Sequence, residues 1–284
     1  QGHAPHFPGS EDFAGTIVHP QHWPQELDYR GKKIIVIGSG ATAVTLAPAL
    51  AKDAKHVYML QRSPSYVVSR PSEDGKAIWL KQKFPTNIAY SLTRAKNVFF
   101  SSASYAVLRG FPERAKAWLM AEAQRQLGDS CDVQTHFNPN YAPWDQRLCM
   151  VPDGDLFKAV AAGRVEMTTD TVKRFTKQGI DLGSGRRLKA DIIVTATGLE
   201  LQFLGGASLI VDDTPVDPSS LMTYRGMMLS SVPNIMFASG YTNASWTLKV
   251  DLTCKFACRI LNKLEQSNDL YCMPQPSANI RPEP

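Results

Sequence analysis

A glycine turn between two apolar segments carries the clearest chemistry in this sequence. Residues 34–37 form an apolar run that leads into Gly38, Ser39 and Gly40, and a second apolar segment continues to about Ala51. Gly38 allows a tight turn, Gly40 lets the backbone approach a pyrophosphate, and a helix start supplies free N–H groups and a positive dipole end. We therefore predict a strand, a turn and a helix that bind a dinucleotide through Gly38, Ser39, Gly40, Ala41, Thr42, Ala43 and Val44.

The end of the next apolar segment indicates which dinucleotide is bound. Residues 56–61 predict a second strand, and Arg62 and Ser63 follow it. A site for the unphosphorylated cofactor places Asp or Glu here to bind the ribose 2′-hydroxyl. The planar guanidinium of Arg62 is instead suited to two charge-assisted hydrogen bonds to a 2′-phosphate. This pattern favours NADP(H), and the alternative is an ordinary βαβ unit with a surface arginine.

Alternating helices and strands must position these residues. Residues 73–127 have apolar side chains at helical spacing, and Pro85 and Pro112 interrupt the pattern. Short strands are predicted after a loop rich in Pro, Asn and Asp, and two apolar runs end in a glycine. These segments are the loop 135–154, the strands 165–168 and 171–175, the runs 189–198 and 234–240, and a final helix 246–264.

The composition is typical of a globular protein that does not bind nucleic acid. The chain has 284 residues, 43% of them hydrophobic, and its net charge of +5 is spread along the sequence. The five cysteines form no CxxC pair and lack the histidine spacing of zinc sites, so we expect reduced, mostly buried thiols and no metal site. Asp145, Asp153 and Asp155 are better explained by turns and helix capping than by metal binding.

The chain begins Gln1-Gly2-His3, without a Met or a signal-peptide pattern, which indicates a piece of a longer, cytoplasmic protein. No run of 18 apolar residues is present, so we expect no membrane-spanning helix. Residues 97–108 are apolar and are followed by basic side chains. A buried helix pair is the preferred interpretation, and peripheral membrane contact is the second one. The oligomeric state is left open.

A second motif precedes the glycine turn and carries a family resemblance. Its specified residues are Phe13, Gly15, His19, Trp23 and Pro24, in the order FxGxxxHxxxWP. This segment resembles the fingerprint of Baeyer–Villiger monooxygenases, which are class B flavoprotein monooxygenases. The resemblance implies that His19 and Trp23 lie in a hinge that links FAD and NADP domains and act on domain movement.

Further segments resemble a subgroup of that family, the ethionamide-activating monooxygenases of mycobacteria, over nearly the whole chain. They are residues 38–46, 60–64, 144–149, 152–157 and 240–248. The resemblance implies an α/β fold with paired Rossmann-like dinucleotide-binding domains and a helical insertion. It implies these parts: a linker with the fingerprint at 1–27, an NADP-binding domain at 28–72 and 131–190, a helical insertion at 73–130, and a partial FAD-binding domain at 191–284.

The resemblance also implies cofactors and a reaction. Such an enzyme uses NADPH, FAD and O2 to insert oxygen beside a ketone carbonyl, or onto a thioamide or sulfide sulfur, through a flavin peroxide. The family's glycine motif for FAD lies before residue 1, so we expect this piece alone to bind FAD weakly or not at all and to be inactive. Gly198 resembles the point where the chain returns to the FAD domain.

An anionic oxygen intermediate requires a permanent cation, and Arg147 is the candidate, because arginine keeps its proton at working pH. By resemblance, it stands at the position of the family's active-site arginine; the alternative is a surface arginine in a polar loop. Gln146 stands where many relatives carry a lysine near the 2′-phosphate, which leaves more of the recognition to Arg62. Two other functions stay open, a non-catalytic NADP-binding fragment and an NADPH-dependent flavoprotein reductase. The substrate is not determined by the sequence.

Overall fold

A computed structural model describes residues 1–146, 148–241 and 246–276. The chain divides into two compact units, residues 1–200 and 201–284, and each is described by itself. The strands of the first unit are β1 Thr16–Val18, β2 Lys33–Ile37, β3 His56–Gln61, β4 Val67–Arg70, β5 Cys149–Pro152, β6 Val165–Thr169, β7 Val172–Thr176, β8 Gly179–Leu182, β9 Arg187–Lys189 and β10 Ile192–Thr195. Its helices are α1 Ala41–Leu50, α2 Gly75–Lys83, α3 Thr86–Gly110, α4 Pro112–Leu127, α5 Val133–His136 and α6 Asp155–Ala161.

A five-stranded parallel sheet forms the centre of the first unit, in the order β1-β10-β2-β3-β6. Successive residues of β2 face opposite sides of the sheet. Ile34 and Val36 pack in a core with α1, α4 and α6, whereas Ile35 and Ile37 pack against the antiparallel sheet β7-β8-β9. Both faces of β2 and β10 are covered, as is typical of parallel strands that are apolar apart from an end residue, Lys33 in β2 and Thr195 in β10.

Two expected domain boundaries differ from this architecture. The segment 1–27, expected as a linker, contributes β1 to the edge of the parallel sheet. The boundary expected at residue 191 would separate β10 from its neighbours, yet β10 lies between β1 and β2. Ile192 and Val194 face one core and Ile193 faces the other, so both faces of β10 are buried in the first unit. The compact unit therefore ends at Glu200.

The insertion consists of α2, α3 and α4, and the two prolines that were expected to interrupt the helical pattern stand where α3 and α4 begin. Pro85 precedes α3, and Pro112 is the first residue of α4. Helix α4 buries one stripe of residues four apart, Ala115, Leu119, Ala123 and Leu127, whereas α3 buries only Ala89 among its 25 residues. Helix α3 is therefore an amphipathic element with most of its apolar side chains at the surface.

The second unit contains two short hairpins and one long helix. Their bounds are β11 Leu209–Val211, β12 Thr214–Val216, β13 Thr223–Tyr224, β14 Met228–Leu229 and α7 Trp246–Ser267. Helix α7 confirms the predicted final helix and runs three residues further. The strand expected at 234–240 is not formed, because its backbone makes isolated hydrogen bonds, such as Phe237 N–H to Met227 O, and no continuous ladder.

Within the described residues, no helix is both long enough and apolar enough to cross a membrane.

Candidate functional site

The predicted glycine turn lies at the carboxyl edge of the parallel sheet. Gly38 follows β2, and its N–H donates to the carbonyl oxygen of Leu60 at 2.8 Å. A Cβ on Gly38 would lie 2.2 Å from the carbonyl oxygen of Ala196, and the φ of Gly38 is +145°. Only glycine satisfies both the conformation and the close approach. The ends of β2, β3 and β10 therefore meet at this one residue.

The start of α1 is open toward solvent. Gly40 is the residue before the helix, and no side chain caps the first turn. A Cβ on Gly40 would meet nothing within 4 Å. The first N–H groups of a helix have no partner within the helix and carry the positive end of its dipole. The turn therefore presents backbone donors and free space together, as an anionic ligand requires.

Arg62 and Ser63 leave the sheet directly after β3 and are both exposed. In the described part of the chain, no carboxylate pairs with Arg62. The preceding residue, Gln61, is buried, and its side-chain amide donates to the carbonyl oxygen of His136 at 2.7 Å and to Thr169 Oγ1 at 2.9 Å. Gln61 thus fixes the strand end that carries Arg62. A polar residue at the end of an apolar strand was the only sequence signal for this role.

The loop before β5 contains the predicted catalytic position. Arg147 lies outside the described residues, whereas Gln146 is described and exposed. Asp145 closes the loop, because its N–H donates to Ala142 O at 3.1 Å and its carboxylate accepts from Ala142 N–H at 3.2 Å. The same carboxylate pairs with Arg109 near the end of α3. Arg109 therefore ties this loop to α3, a contact between residues 36 positions apart that no local sequence pattern indicates.

Aromatic packing adds a second connection between this loop and α3. The Trp144 ring packs edge-on to Tyr105, with 5.5 Å between ring centroids. Trp144 has a φ of +72°, an uncommon value for a bulky residue, and its buried indole N–H has no hydrogen-bond partner among the described residues. Such conformations persist where surrounding contacts impose them, and they concentrate at functional sites.

Polar contacts join this loop to the glycine turn. Ser65 Oγ donates to Ser39 Oγ at 3.1 Å, and the Cys149 thiol lies 3.8 Å from the carbonyl oxygen of Ser39. The Tyr66 hydroxyl donates to the carbonyl oxygen of Tyr141 at 2.7 Å, and burial raises the pKa of Tyr66 to about 12. Tyr66 therefore remains a donor at neutral pH. The segment that contains Ser65 and Tyr66 therefore contacts both the predicted cofactor turn, at Ser39, and the loop before β5, at Tyr141.

The fingerprint residues surround β1. Phe13 is buried and packs edge-on to Phe175, and a Cβ on Gly15 would lie 2.2 Å from the carbonyl oxygen of Asp191. His19 Nδ1 accepts from Gln21 N–H at 3.3 Å and caps a short 3-10 turn, while its buried Nε2 has no hydrogen-bond partner among the described residues. Trp23 packs edge-on to Tyr29 at 6.3 Å, and Pro24 is exposed.

The fingerprint lies close to the segment that ends at Gly198. Thr195 Oγ1 donates to the carbonyl oxygen of Val18 at 3.3 Å, and His3 N–H donates to Gly198 O at 3.0 Å. Gly198 has a φ of +100° and lies two residues before the end of the first unit. Because β10 lies between β1 and β2, the fingerprint and the glycine turn flank the same strand.

Comparison with known proteins identifies the family. The profile of the FMO-like family, described as flavin-binding monooxygenase-like, matches residues 3–214. The chain belongs to this family. It is 53% identical over 286 aligned residues to the FAD-containing monooxygenase EthA of Mycobacterium tuberculosis, an alignment that covers 100% of the chain and 58% of EthA. It is 48% identical over 267 residues to the probable FAD-binding monooxygenase AlmA of Acinetobacter baylyi, which covers 94% of the chain and 53% of AlmA.

Solved structures confirm the fold class. The crystal structure of OTEMO in an FAD-bound form matches 96% of this chain and 61% of its own chain, with a TM-score of 0.75 and 18% identity. Oxidized steroid monooxygenase bound to NADP matches 97% of this chain and 61% of its own, with the same TM-score and identity. The α/β fold expected from the resemblance is therefore confirmed, and the chain spans a little over half the length of the curated relatives. The roles of the individual site residues stay predictions.

The two glycines of the turn are expected to respond differently to a single methyl group. Gly38→Ala places Cβ against the carbonyl oxygen of Ala196 at a strained φ, so we expect a loss of about 2–4 kcal/mol in the free energy of unfolding. Gly40→Ala meets open space and is the matched control, with an expected loss below about 1 kcal/mol. Urea unfolding followed by circular dichroism measures both; equal losses would contradict the assigned close approach.

Proposed function

We propose that this chain is the NADPH-binding part of an NADPH- and FAD-dependent monooxygenase. The observation that carries the proposal is the open helix start at Gly40 beside an exposed arginine, Arg62, at the end of the next strand. The family membership supports an oxygen-transferring enzyme. The chain spans 58% of the length of EthA, so the complete reaction is proposed for the whole enzyme and NADPH binding for this chain.

The residues present fit a phosphorylated dinucleotide. Gly38 and Gly40 leave the backbone accessible, and the first turn of α1 has no side-chain cap to displace. Among the residues that the structure describes, no carboxylate pairs with Arg62. We assign the pyrophosphate to the residues 38–44 and the 2′-phosphate to Arg62, with Ser63 as a neutral hydrogen-bond partner. When bound, NADPH supplies a hydride and FAD activates O2.

Arg147 is proposed as the fixed positive charge of the oxygenation step. An arginine holds its proton at any working pH, so it stabilises negative charge on the reacting oxygen atoms without a protonation event. The two residues before it belong to a loop that Asp145 closes and that Arg109 holds from α3. These contacts of the preceding residues support the proposed role over the alternative, a surface arginine in a polar loop.

The proposed substrates are small apolar ketones, sulfides or thioamides, together with O2.

Two other functions remain, a non-catalytic NADP-binding protein and an NADPH-dependent flavoprotein reductase. The chain has no CxxC pair for disulfide reduction, which favours the oxygenase over a disulfide reductase. Substrate-dependent oxygen uptake distinguishes the oxygenase from both alternatives.

Arg62 should determine the choice of cofactor. Arg62→Ala removes charged hydrogen bonds that only the 2′-phosphate receives, so we expect NADPH binding to weaken by about 1.5–3 kcal/mol and NADH binding to change little. Isothermal titration calorimetry on the present chain measures both. Arg164→Ala is the matched control, because Arg164 is equally exposed and precedes β6 at the opposite edge of the sheet. Equal losses for the two cofactors would exclude Arg62 from this role.

Arg147 should be required for oxygen transfer and not for NADPH consumption. The test uses a chimera in which EthA supplies the parts of the enzyme that this chain does not span. Arg147→Ala should lower product formation by on the order of 100-fold, while NADPH consumption continues and yields hydrogen peroxide. Arg147→Lys should recover little, because an ammonium lacks the planar fork of donors. Normal product at the normal rate in the alanine variant would make Arg147 a loop residue without catalytic role.

We further propose that the insertion contacts an anionic membrane surface. Ile88, Leu92 and Phe99 follow one side of α3, and each is at least 45% exposed. Residues 73–127 contain nine Lys and Arg but four Asp and Glu, whereas the rest of the chain has 22 of each, so the insertion carries the net charge. Helices that lie at a membrane interface typically combine an apolar face with many Lys and Arg residues.

Vesicle binding tests this contact. The chain should sediment with phosphatidylglycerol vesicles more than with phosphatidylcholine vesicles, and Leu92→Ser/Phe99→Ser should reduce the bound fraction several-fold because it removes apolar surface. Leu270→Ser is the control, since Leu270 is 91% exposed and lies in the second unit. Unchanged sedimentation of the double variant would show that α3 is not the contact.

A further inference from the structure

A pocket between α3 and α4 combines apolar walls with two cations. It has a volume of about 420 Å³, and its lining includes the apolar side chains Val107, Leu108, Phe111 and Trp118 and the cations Arg70 and Arg114. Leu108 belongs to the cluster around Tyr66 and Leu119, so the floor of the pocket is continuous with the packed interior. Phe111 and Trp118 stay more than half exposed, although both are large apolar side chains. The pocket thus offers apolar surface that none of the described residues covers.

Neither cation has a carboxylate partner in the described part of the chain. Arg109, next to the pocket, pairs with Asp145, but Arg70 and Arg114 form no ion pair. The guanidinium carbon of Arg114 lies 5.8 Å from the centre of the Phe111 ring, which keeps its charge beside the apolar wall. Arg70 ends β4, and the nearby Asp153 carboxylate already accepts from Ser72 N–H at 3.1 Å.

Helix α4 adds to the positive potential of the pocket. Pro112 is the first residue of this 16-residue helix, so Arg114 belongs to its first turn, where the dipole is positive. A cation at this end is unfavourable to the helix, and an anion held by Arg114 would offset that cost. Glu113 is the one acidic residue of this turn, and it does not line the pocket.

We infer that this pocket binds an amphipathic anion, an apolar chain that ends in a carboxylate or phosphate. The apolar walls would cover the chain, while the two guanidiniums would donate to the head group in the planar geometry that suits either anion. A neutral apolar ligand would bury these cations without a partner, which is costly. This site is separate from the cofactor turn and does not depend on the proposed monooxygenase function.

Binding of decanoate to the present chain tests the inference. Calorimetry should detect decanoate below its micellar concentration, while acetate, the head group without a chain, should show no binding. Decan-1-ol, the chain without the charge, should bind at least ten-fold more weakly. The affinity for decyl phosphate should lie within ten-fold of the affinity for decanoate, because the guanidiniums donate hydrogen bonds to either head group.

Arg70→Ala/Arg114→Ala should weaken decanoate binding at least ten-fold. Arg125→Ala is the matched control, because Arg125 is an exposed arginine of the same helix and pairs with Glu122. Val107→Asp is a second variant: Val107 is 58% exposed, so the change should leave folding intact and abolish decanoate binding by placing a negative charge in the wall. An unchanged melting temperature and unchanged NADPH affinity verify that these variants fold.

Three results would overturn the inference: unchanged decanoate binding in the double variant, equal affinity for decanoate and decan-1-ol, or binding to phosphatidylglycerol vesicles without binding of monomeric decanoate. The last result would assign the two arginines to the membrane surface instead. Loss of NADPH binding in Arg62→Ala with unaltered decanoate binding would show that the two sites are independent.

Discussion

The close approach of Gly38 to Ala196 is the contact on which the site depends. A single Cβ at Gly38 would lie 2.2 Å from a backbone oxygen, so β2 and β10 can end side by side only with glycine there. This contact lies at the carboxyl edge of a parallel sheet, where open α/β proteins bind ligands. Because β10 also pairs with β1, the same strand holds the segment of the FxGxxxHxxxWP fingerprint in place. Val18 and Thr195, 177 positions apart in the sequence, are thus in direct contact at this edge of the sheet.

Helix α3 contacts the loop before β5 through Arg109 and Tyr105. Few of its side chains are buried, so the hydrophobic contribution of this helix is small for its length. It contributes instead through the Arg109 ion pair with Asp145 and the Tyr105 contact with Trp144. The ion pair is exposed, and such pairs stabilise a fold only weakly. The ion pair instead restricts the position of the loop before β5. Tyr66 contacts the same loop at Tyr141, and Cys149, which follows it, contacts Ser39.

The elements with strong local signals could be predicted from the sequence, and those fixed by tertiary pairing could not. The strand, glycine turn and helix at 33–50 follow from local periodicity and glycine spacing, and Pro85 and Pro112 set the starts of α3 and α4. The place of β10 in the sheet required knowledge of its neighbours, which no local pattern contains. For the same reason the sequence predicted a strand at 234–240 that has no ladder partner among the described residues. It also gave no sign of the contacts of Gln61 and Arg109, whose partners are distant in the chain.

The distribution of charge along the chain is uneven. Outside residues 73–127 the acidic and basic residues balance, so the cofactor binding proposed at the carboxyl edge of the sheet depends on individually placed groups, the helix start at Gly40 and the side chain of Arg62. Inside the insertion the excess of lysine and arginine accompanies exposed apolar side chains. Among the described residues, Arg114 of the insertion and Arg70 at the end of β4 form no ion pair with a carboxylate. Coulomb attraction between exposed charges acts over roughly 8–10 Å at physiological ionic strength, so each of these cations attracts an anion only at short range.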